Sequence, residues 1–285
     1  MNPAEEGSGL PAADRRDPTR DELLALIDSY GDTAPRATAR VEEHGSLVLF
    51  VAERGWPFYA RPRLDRTTEP TTEEIRSVLA RQIELGVPQS LEWVHEMAPA
   101  LATTARAAGM TVQECPLLVL GSPVEPRPAD GVVRLVDADD PELSNVNAAI
   151  EVAFAMPGTR VGEVGVVERN HAAGAPSAAH RLEFTADALR AGRTVKVAAF
   201  GADAGAVGGG SHNPRGEVSE IVGVGVLPAF RRRGLAGAVT YLLARHALDN
   251  GVTTVFCGAE SSDVARVYER VGFRRIGTIC ASEID

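Results

Sequence analysis

From residue 218 to residue 226 hydrophobic and polar positions alternate almost without fault. Val218, Val222, Val224 and Val226 share a period of two, interrupted only by Glu220. β-Branched residues in strict alternation predict a strand with one buried face. Glu220 places a carboxylate on that otherwise apolar face. Gly223 and Gly225 fall on the other face with Ile221 and Leu227, and two glycines inside a strand mark a bulge or a close backbone approach. Pro228 ends the strand, having no N–H for a ladder. The period then changes. Leu235, Val239, Leu242 and Leu243 recur at helical spacing.

The same reading predicts elements along the rest of the chain. A helix is expected over 21–30, strands over 46–52 and 56–64, and the latter is weakened by Pro57 and Pro62. Thr71-x-x-Glu74 is a capping box that opens a helix ending at Gly86. A strand at 90–96, a helix at 99–108 and a strand at 111–120 follow. Beyond residue 131 the expected order is strand 132–136, helix 140–154, helix 177–191, strand 194–200, the 218–226 strand, the helix after Gly234, strand 253–258, helix 261–270 and strand 273–284. Residues 156–176 and 201–216 read as connections. A further strand before the 218–226 strand would have to come from 204–210, where glycines obscure the pattern. This mixture of strands and helices is an α+β pattern.

The chemistry gathers where that strand meets its helix. Arg231, Arg232, Arg233, Gly234, Leu235 and Ala236 form the junction. The first N–H groups of a helix lack intrahelical partners, and the macrodipole is positive there. Gly234, Ala236 and Gly237 are small enough for an anion to reach those groups, and the arginines add charge. Such a junction suits a diphosphate.

Arg231-x-x-Gly234-x-Ala236 resembles motif A of the GNAT superfamily of acyl-CoA-dependent N-acetyltransferases. Near the C-terminus Tyr268, Gly272 and Phe273 resemble that family's motif B, with Ser261 where asparagine is usual, Val264 where alanine is usual and Val267 where leucine is usual. The resemblance implies a GNAT acyl-CoA N-acyltransferase fold with acetyl-CoA as co-substrate. It assigns pantetheine and carbonyl contacts to the backbone of Val224, Gly225 and Val226, the diphosphate to residues 231–236, and a further cofactor contact to Ser261. It implies Tyr268 as hydrogen-bond donor to the leaving thiolate and Glu220 as general base. His212 and Glu260 are the other candidate bases. A phenol is a weaker acid than a thiol, so Tyr268 would donate a hydrogen bond rather than a whole proton.

Two halves of the chain can be overlaid. Residues 79–87 (LARQIELGV) resemble 243–252 (LARHALDNGV), and Gly109-Met110 falls at Gly272-Phe273. This reads as two tandem GNAT copies, the first degenerate. Where the second has RRRGLA the first has LDRTTEPTTEE, whose glutamates would repel a diphosphate. The expected organisation is a disordered tail over 1–18, a degenerate GNAT-like domain over 19–120, a linker over 121–131 and a catalytic domain over 132–285.

Composition narrows the partners. With 285 residues and only 5% aromatics, aliphatic side chains must fill the cores. A net charge of −10 argues against nucleic acid and anionic membrane as partners. Three scattered cysteines supply no metal spacing and fit a reducing, cytoplasmic setting. Neither a secretory leader nor a membrane-length apolar run is present in the sequence. The functional expectation is transfer of an acetyl group to a primary amine of a small molecule or peptide, by a monomer or homodimer without metal. The alternative is a non-catalytic acyl-CoA-binding sensor or scaffold.

Overall fold

The structure is a computed structural model that describes residues 17–52 and 59–284. The expected tail falls on 1–16, outside the described residues, as does most of the N-terminal part of the strand expected at 56–64.

In the first half, helix α1 (Arg20–Thr33) leads into strands β1 (Ala39–His44), β2 (Leu47–Ala52) and β3 (Ala60–Pro62). Helix α2 (Thr72–Leu85), β4 (Ser90–Val94), α3 (Leu101–Ala107) and β5 (Thr111–Leu120) follow. The capping box at Thr71 forms as the spacing requires. Glu74 accepts from the Thr71 N–H at 2.8 Å and also from the Ser46 N–H at 2.8 Å. Gly86 closes α2 in the left-handed conformation, φ 65°.

The second half contains β6 (Val132–Val136), α4 (Leu143–Phe154), α5 (Val166–Ala173), α6 (Pro176–Arg190), β7 (Val195–Gly201), β8 (Gly205–Arg215) and β9 (Val218–Val226). It closes with α7 (Leu235–Asp249), β10 (Thr254–Gly258), α8 (Ser262–Glu269) and β11 (Phe273–Glu283).

All eleven strands form one mostly antiparallel sheet, in the order β1-β2-β3-β4-β11-β5-β10-β9-β8-β7-β6. The centre of this order explains how the halves join. β11 and β5 pair antiparallel from Phe273↔Leu120 to Glu283↔Thr111, with a bulge between Arg275 and Gly277. β11 also pairs with β4, and β5 with β10. Each half therefore lends its last strand to the sheet of the other. On both sides a parallel strand pair is bridged by a helix, β3–α2–β4 and β9–α7–β10, and a second helix leads to the lent strand. The overlaid residues 79–87 and 243–252 occupy the corresponding ends of α2 and α7.

The segment 121–131 is tied to the second half. Gly121 N–H donates to Gly272 O at 3.0 Å, Val124 N–H to Val271 O at 2.8 Å and Asp130 N–H to Arg233 O at 2.9 Å.

Four features depart from the sequence pattern. Residues 201–216, expected as a connection, hold the eleven-residue strand β8. Its glycines hide it because they replace the expected apolar alternation. A Cβ on Gly208 would lie 2.4 Å from Gly225 O, and one on Gly209 2.5 Å from Val197 O. Close approach of the neighbouring strands requires their absence. Residues 156–176, also expected as a mobile connection, contain α5. Its buried Arg169 donates at 2.6 Å to both Ala204 O and Ala206 O, which anchors it to β8. The alternation in β9 breaks at Gly223, φ 64°, where the register with β8 shifts. The extra residue turns Val224 and Val226 towards the α7 core that already holds Ile221. Val218 packs instead beside Tyr30 and Phe256. Glu220 thus shares its face with Val218 and Gly225, not with Val224 and Val226. The charged strand β1 had no hydrophobic pattern to betray it; it forms an edge of the sheet by pairing with β2.

Candidate active site

β9 and β10 run side by side in parallel only from Val218↔Thr254 to Glu220↔Phe256. Beyond that register they separate, and a cleft of about 1250 Å³ opens in the fork. Its walls include Glu220–Val226 from β9 and Gly258, Ala259 and Glu260 from the end of β10. Tyr268, Val267 and Val271 line it from the α8 side. The β9 edge facing the cleft lacks a ladder partner there, so its peptide groups are available to an amide-bearing ligand.

One end of the cleft is the junction of β9 and α7. Arg232 adopts φ 64°, the one left-handed non-glycine among the described residues, and Gly234 follows at φ 80°. Left-handed residues in a turn of this kind are a feature of backbone anion-binding concavities. Among the described residues no hydrogen bond uses the N–H of Arg232, Arg233, Gly234, Leu235, Ala236 or Gly237, and no side chain caps α7. Six backbone donors at the positive end of a fifteen-residue helix are thus left without a protein acceptor. All six residues line the cleft. The 121–131 segment supplies the facing wall with Glu125–Pro128 and Asp130.

The three arginines divide their roles. Arg231 spends its guanidinium on backbone carbonyls of Val226 (3.0 Å), Ala153 (3.1 Å), Met156 (2.6 Å) and Arg160 (3.2 Å). It braces the chain after α4 against the end of β9, rather than projecting free charge. Arg233 lies 5.0 Å from the Phe230 ring centroid and 3.5 Å from Asp130. Arg232 is exposed and makes no ion pair among the described residues.

Tyr268 is 6% exposed and lines the cleft, and its hydroxyl makes no hydrogen bond among the described residues. Burial holds its phenol well above the ordinary range, so it stays protonated at any working pH. Its ring stacks edge-on against Phe273, 5.9 Å between centroids. Glu220 lines the same cleft. Burial, reinforced by the neighbouring Glu92 carboxylate, pushes its pKa up to about 8. The valine-rich strand foreshadows that burial, but not Glu92.

Other candidates stand apart. His212 lies on β8, 1% exposed, with Nδ1 2.8 Å from Ser219 Oγ and Nε2 3.0 Å from His246 Nδ1. Burial, with His246 beside it, pushes its pKa down to about 4. It does not line the cleft, so the expectation of a loop histidine near neutrality gives way to a buried strand histidine. Glu260 lines the cleft at the mouth of β10. Ser261 does not; its hydroxyl caps α8 by accepting from Val264 N–H at 3.4 Å. A serine at a helix N-cap answers the unpaired first turn, which accounts for its place without a ligand.

Sequence reasoning overlooked the residues that the first half adds. Glu92 on β4 and Cys115 on β5 line the cleft, joined by Ile279 and Ala281 of β11. Glu92 stands between the buried Leu91 and Trp93, an acid on the second face of a strand. That was the available signal. Its meaning depended on the strand exchange, which pattern alone does not reveal. The described residues contain no group of three or more His, Cys, Asp or Glu placed to hold a metal ion. None of their helices is long and apolar enough to cross a membrane.

Residues 176–273 match the sequence model of the Acetyltransferase (GNAT) family. Among solved structures, the chain is similar to a GCN5-related N-acetyltransferase from Kribbella flavida, with TM-score 0.65 and 21% identity, covering 92% of this chain and 95% of that one. A GCN5-related N-acetyltransferase from Sphaerobacter thermophilus gives TM-score 0.57 at 15% identity, over 94% and 95% of the two chains. A protein described as a putative GNAT-family acetyltransferase from Novosphingobium aromaticivorans gives 0.53 at 14%, over 91% and 95%. These likenesses extend the shared fold across both halves. No curated protein matches the chain.

Proposed function

With a GNAT acetyltransferase domain at 176–273 as the premise, we propose that the chain is an acetyl-CoA-dependent N-acetyltransferase acting on a primary amine of a small molecule or peptide. One observation carries the reading: six helix-end amides, a forked strand edge, a tyrosine hydroxyl and a half-buried carboxylate, the amides and the hydroxyl without acceptors or partners among the described residues, share a single cleft. The residues fit the co-substrate. The amides of 232–237 suit its diphosphate, and the open edge at Val224, Gly225 and Val226 suits its amide-rich arm. Gly225 lets the end of α4 approach the strand there: a Cβ would meet Ala153 at 3.0 Å.

Acetyl-CoA supplies the activated acyl group; the protein orders the proton movements. An alkylammonium must lose a proton before it can attack. Glu220, at about 8, is ionised in roughly one molecule in ten at pH 7. An incoming cation favours that ionised form, so the acceptor draws the base into its working state. Tyr268 stays protonated and offers its hydrogen to charge developing on sulfur, where a preorganised donor is most effective.

The test is thiol release from acetyl-CoA across a panel of amines, beside direct measurement of CoA binding. Tyr268→Phe is expected to lower kcat at least tenfold with CoA affinity unchanged. Unchanged turnover would remove Tyr268 from the reaction. Tight CoA binding without transfer to any amine between pH 6 and 9 would favour the sensor reading.

A further inference from the structure

Charge is unevenly distributed along the cleft. β9 rises about 3.3 Å per residue, so Glu220 lies on the order of 20 Å from Val226 and the arginine-rich loop beyond it. Arg231, Arg232, Arg233, Arg266 and Arg270 all line the cleft. Around Glu220 the balance reverses. The carboxylate of Glu220 accepts no hydrogen bond from a basic side chain, and the charged neighbour that bears on it is Glu92. Burial pushes the Glu92 carboxyl up, and the neighbouring Tyr59 hydroxyl works against that rise. Arg61 is the guanidinium whose field reaches Glu92, and it is already paired with Asp28. Both partners of that pair are buried, so its charge is largely spent. Two carboxylates therefore border one end of the cleft without a basic partner of their own among the described residues.

The carboxylates come from different halves of the chain. Glu220 belongs to β9, whereas Glu92 belongs to β4 and reaches the cleft because β11 and β5 lie between the halves. The cleft also holds the unpartnered Tyr268 hydroxyl, 94% buried by its 6% exposure, an independent sign that this space receives a polar ligand. A single ammonium needs one carboxylate. A second one left unpaired beside it costs free energy on burial unless the ligand neutralises it.

We propose that Glu92 holds a second cationic nitrogen of the acceptor while Glu220 serves the reacting one, so that the preferred acceptor is a small diamine. This deepens the proposed function and rests on it for the reacting nitrogen. Glu92 is then a positioning residue that discriminates among acceptors, and the first half is a working wall of the acceptor pocket.

The experiment compares α,ω-diamines of three to five carbons with the amino alcohols of equal length, using the full chain and acetyl-CoA. The diamine is expected to exceed its amino alcohol at least tenfold in kcat/KM, chiefly through KM. Glu92→Gln is expected to reduce that preference to twofold or less, because the loss falls on the KM of the diamine while any shift in the pH profile through Glu220 is shared by both acceptors, and Glu92→Asp is expected to restore part of the preference. Equal use of diamine and amino alcohol, or equal losses for both in Glu92→Gln, would overturn the proposal. Calorimetry on the CoA-loaded protein separates this from the parent reading. Absence of CoA binding defeats the proposed function. CoA binding with no tighter capture of diamine than of amino alcohol defeats the present inference, whether or not thiol is released. Glu92-dependent capture of the diamine supports it in either case. Circular dichroism of each variant identifies any that fails to fold, and Glu92→Asp then carries the comparison.

Discussion

Glu220 makes the structure's most demanding claim, because a carboxyl held at about 8 must leave a mark on stability as well as on catalysis. An unfolded glutamate titrates near 4.3. Between that value and about 8 the folded chain keeps a proton that the unfolded chain has released. Stability therefore falls as pH rises through this window, with a limiting slope of about 1.4 kcal/mol per pH unit. Integrated from pH 5 to pH 8, the loss is about 3 kcal/mol. Glu220→Gln keeps the shape of the neutral acid and cannot ionise. It is expected to be near neutral for stability at pH 5 and to gain about 3 kcal/mol over the parent by pH 8. Urea unfolding of both proteins at pH 5, 6, 7 and 8 measures the difference, and groups common to both largely cancel. Glu92 does not cancel fully, since a neutral neighbour eases its own ionisation, and this lowers the difference somewhat. Meanwhile kcat/KM of the parent is expected to rise with pH, reaching half its maximum near 8 and levelling off above about 9, and Glu220→Gln to lose at least a hundredfold in turnover. Parallel stability curves for the two proteins from pH 5 to pH 8 would refute the buried, proton-holding carboxylate and the mechanism built on it.

Other outcomes follow from single contacts. Arg231→Ala strips four backbone carbonyls of a charged donor and is expected to cost about 2 to 3 kcal/mol, with faster proteolysis near residues 156–160; thermal unfolding and limited digestion measure it. Gly234→Ala forces a left-handed Cβ to within 3.3 Å of Ala129 Cα, so a loss of about 1 to 2 kcal/mol and weaker CoA binding are expected by calorimetry. Glu74→Ala removes both the capping box of α2 and the tie to Ser46, for about 2 kcal/mol in denaturant unfolding and no change in CoA affinity.

The second-half elements were the most legible. The valine alternation of β9, the apolar spacing of α7 and the glycine after the arginines are local signals, because they arise from the geometry of a few successive residues. The helix-end amides could be anticipated for the same reason. β8 could not, since glycine erases the alternation on which strand recognition depends. Nor could the parity of β9 beyond Gly223, because one extra residue in a bulge reverses every later side chain. Arg231 was legible as charge but not as a brace. Three of its four carbonyl partners come from the end of α4 and the chain just after it, some seventy residues earlier.

By itself the sequence determined where strand gives way to helix, where an anion could meet unpaired amides, and which strand would carry a carboxylate out of solvent's reach. Those properties follow from spacing, propensity and charge within short windows. Only the tertiary structure decided that each half lends a strand to the other, that the fork of β9 and β10 opens into one cleft, and that Glu92 faces that cleft. Pairing between distant strands depends on which surfaces can be buried together, and a window of neighbouring residues carries no record of that choice.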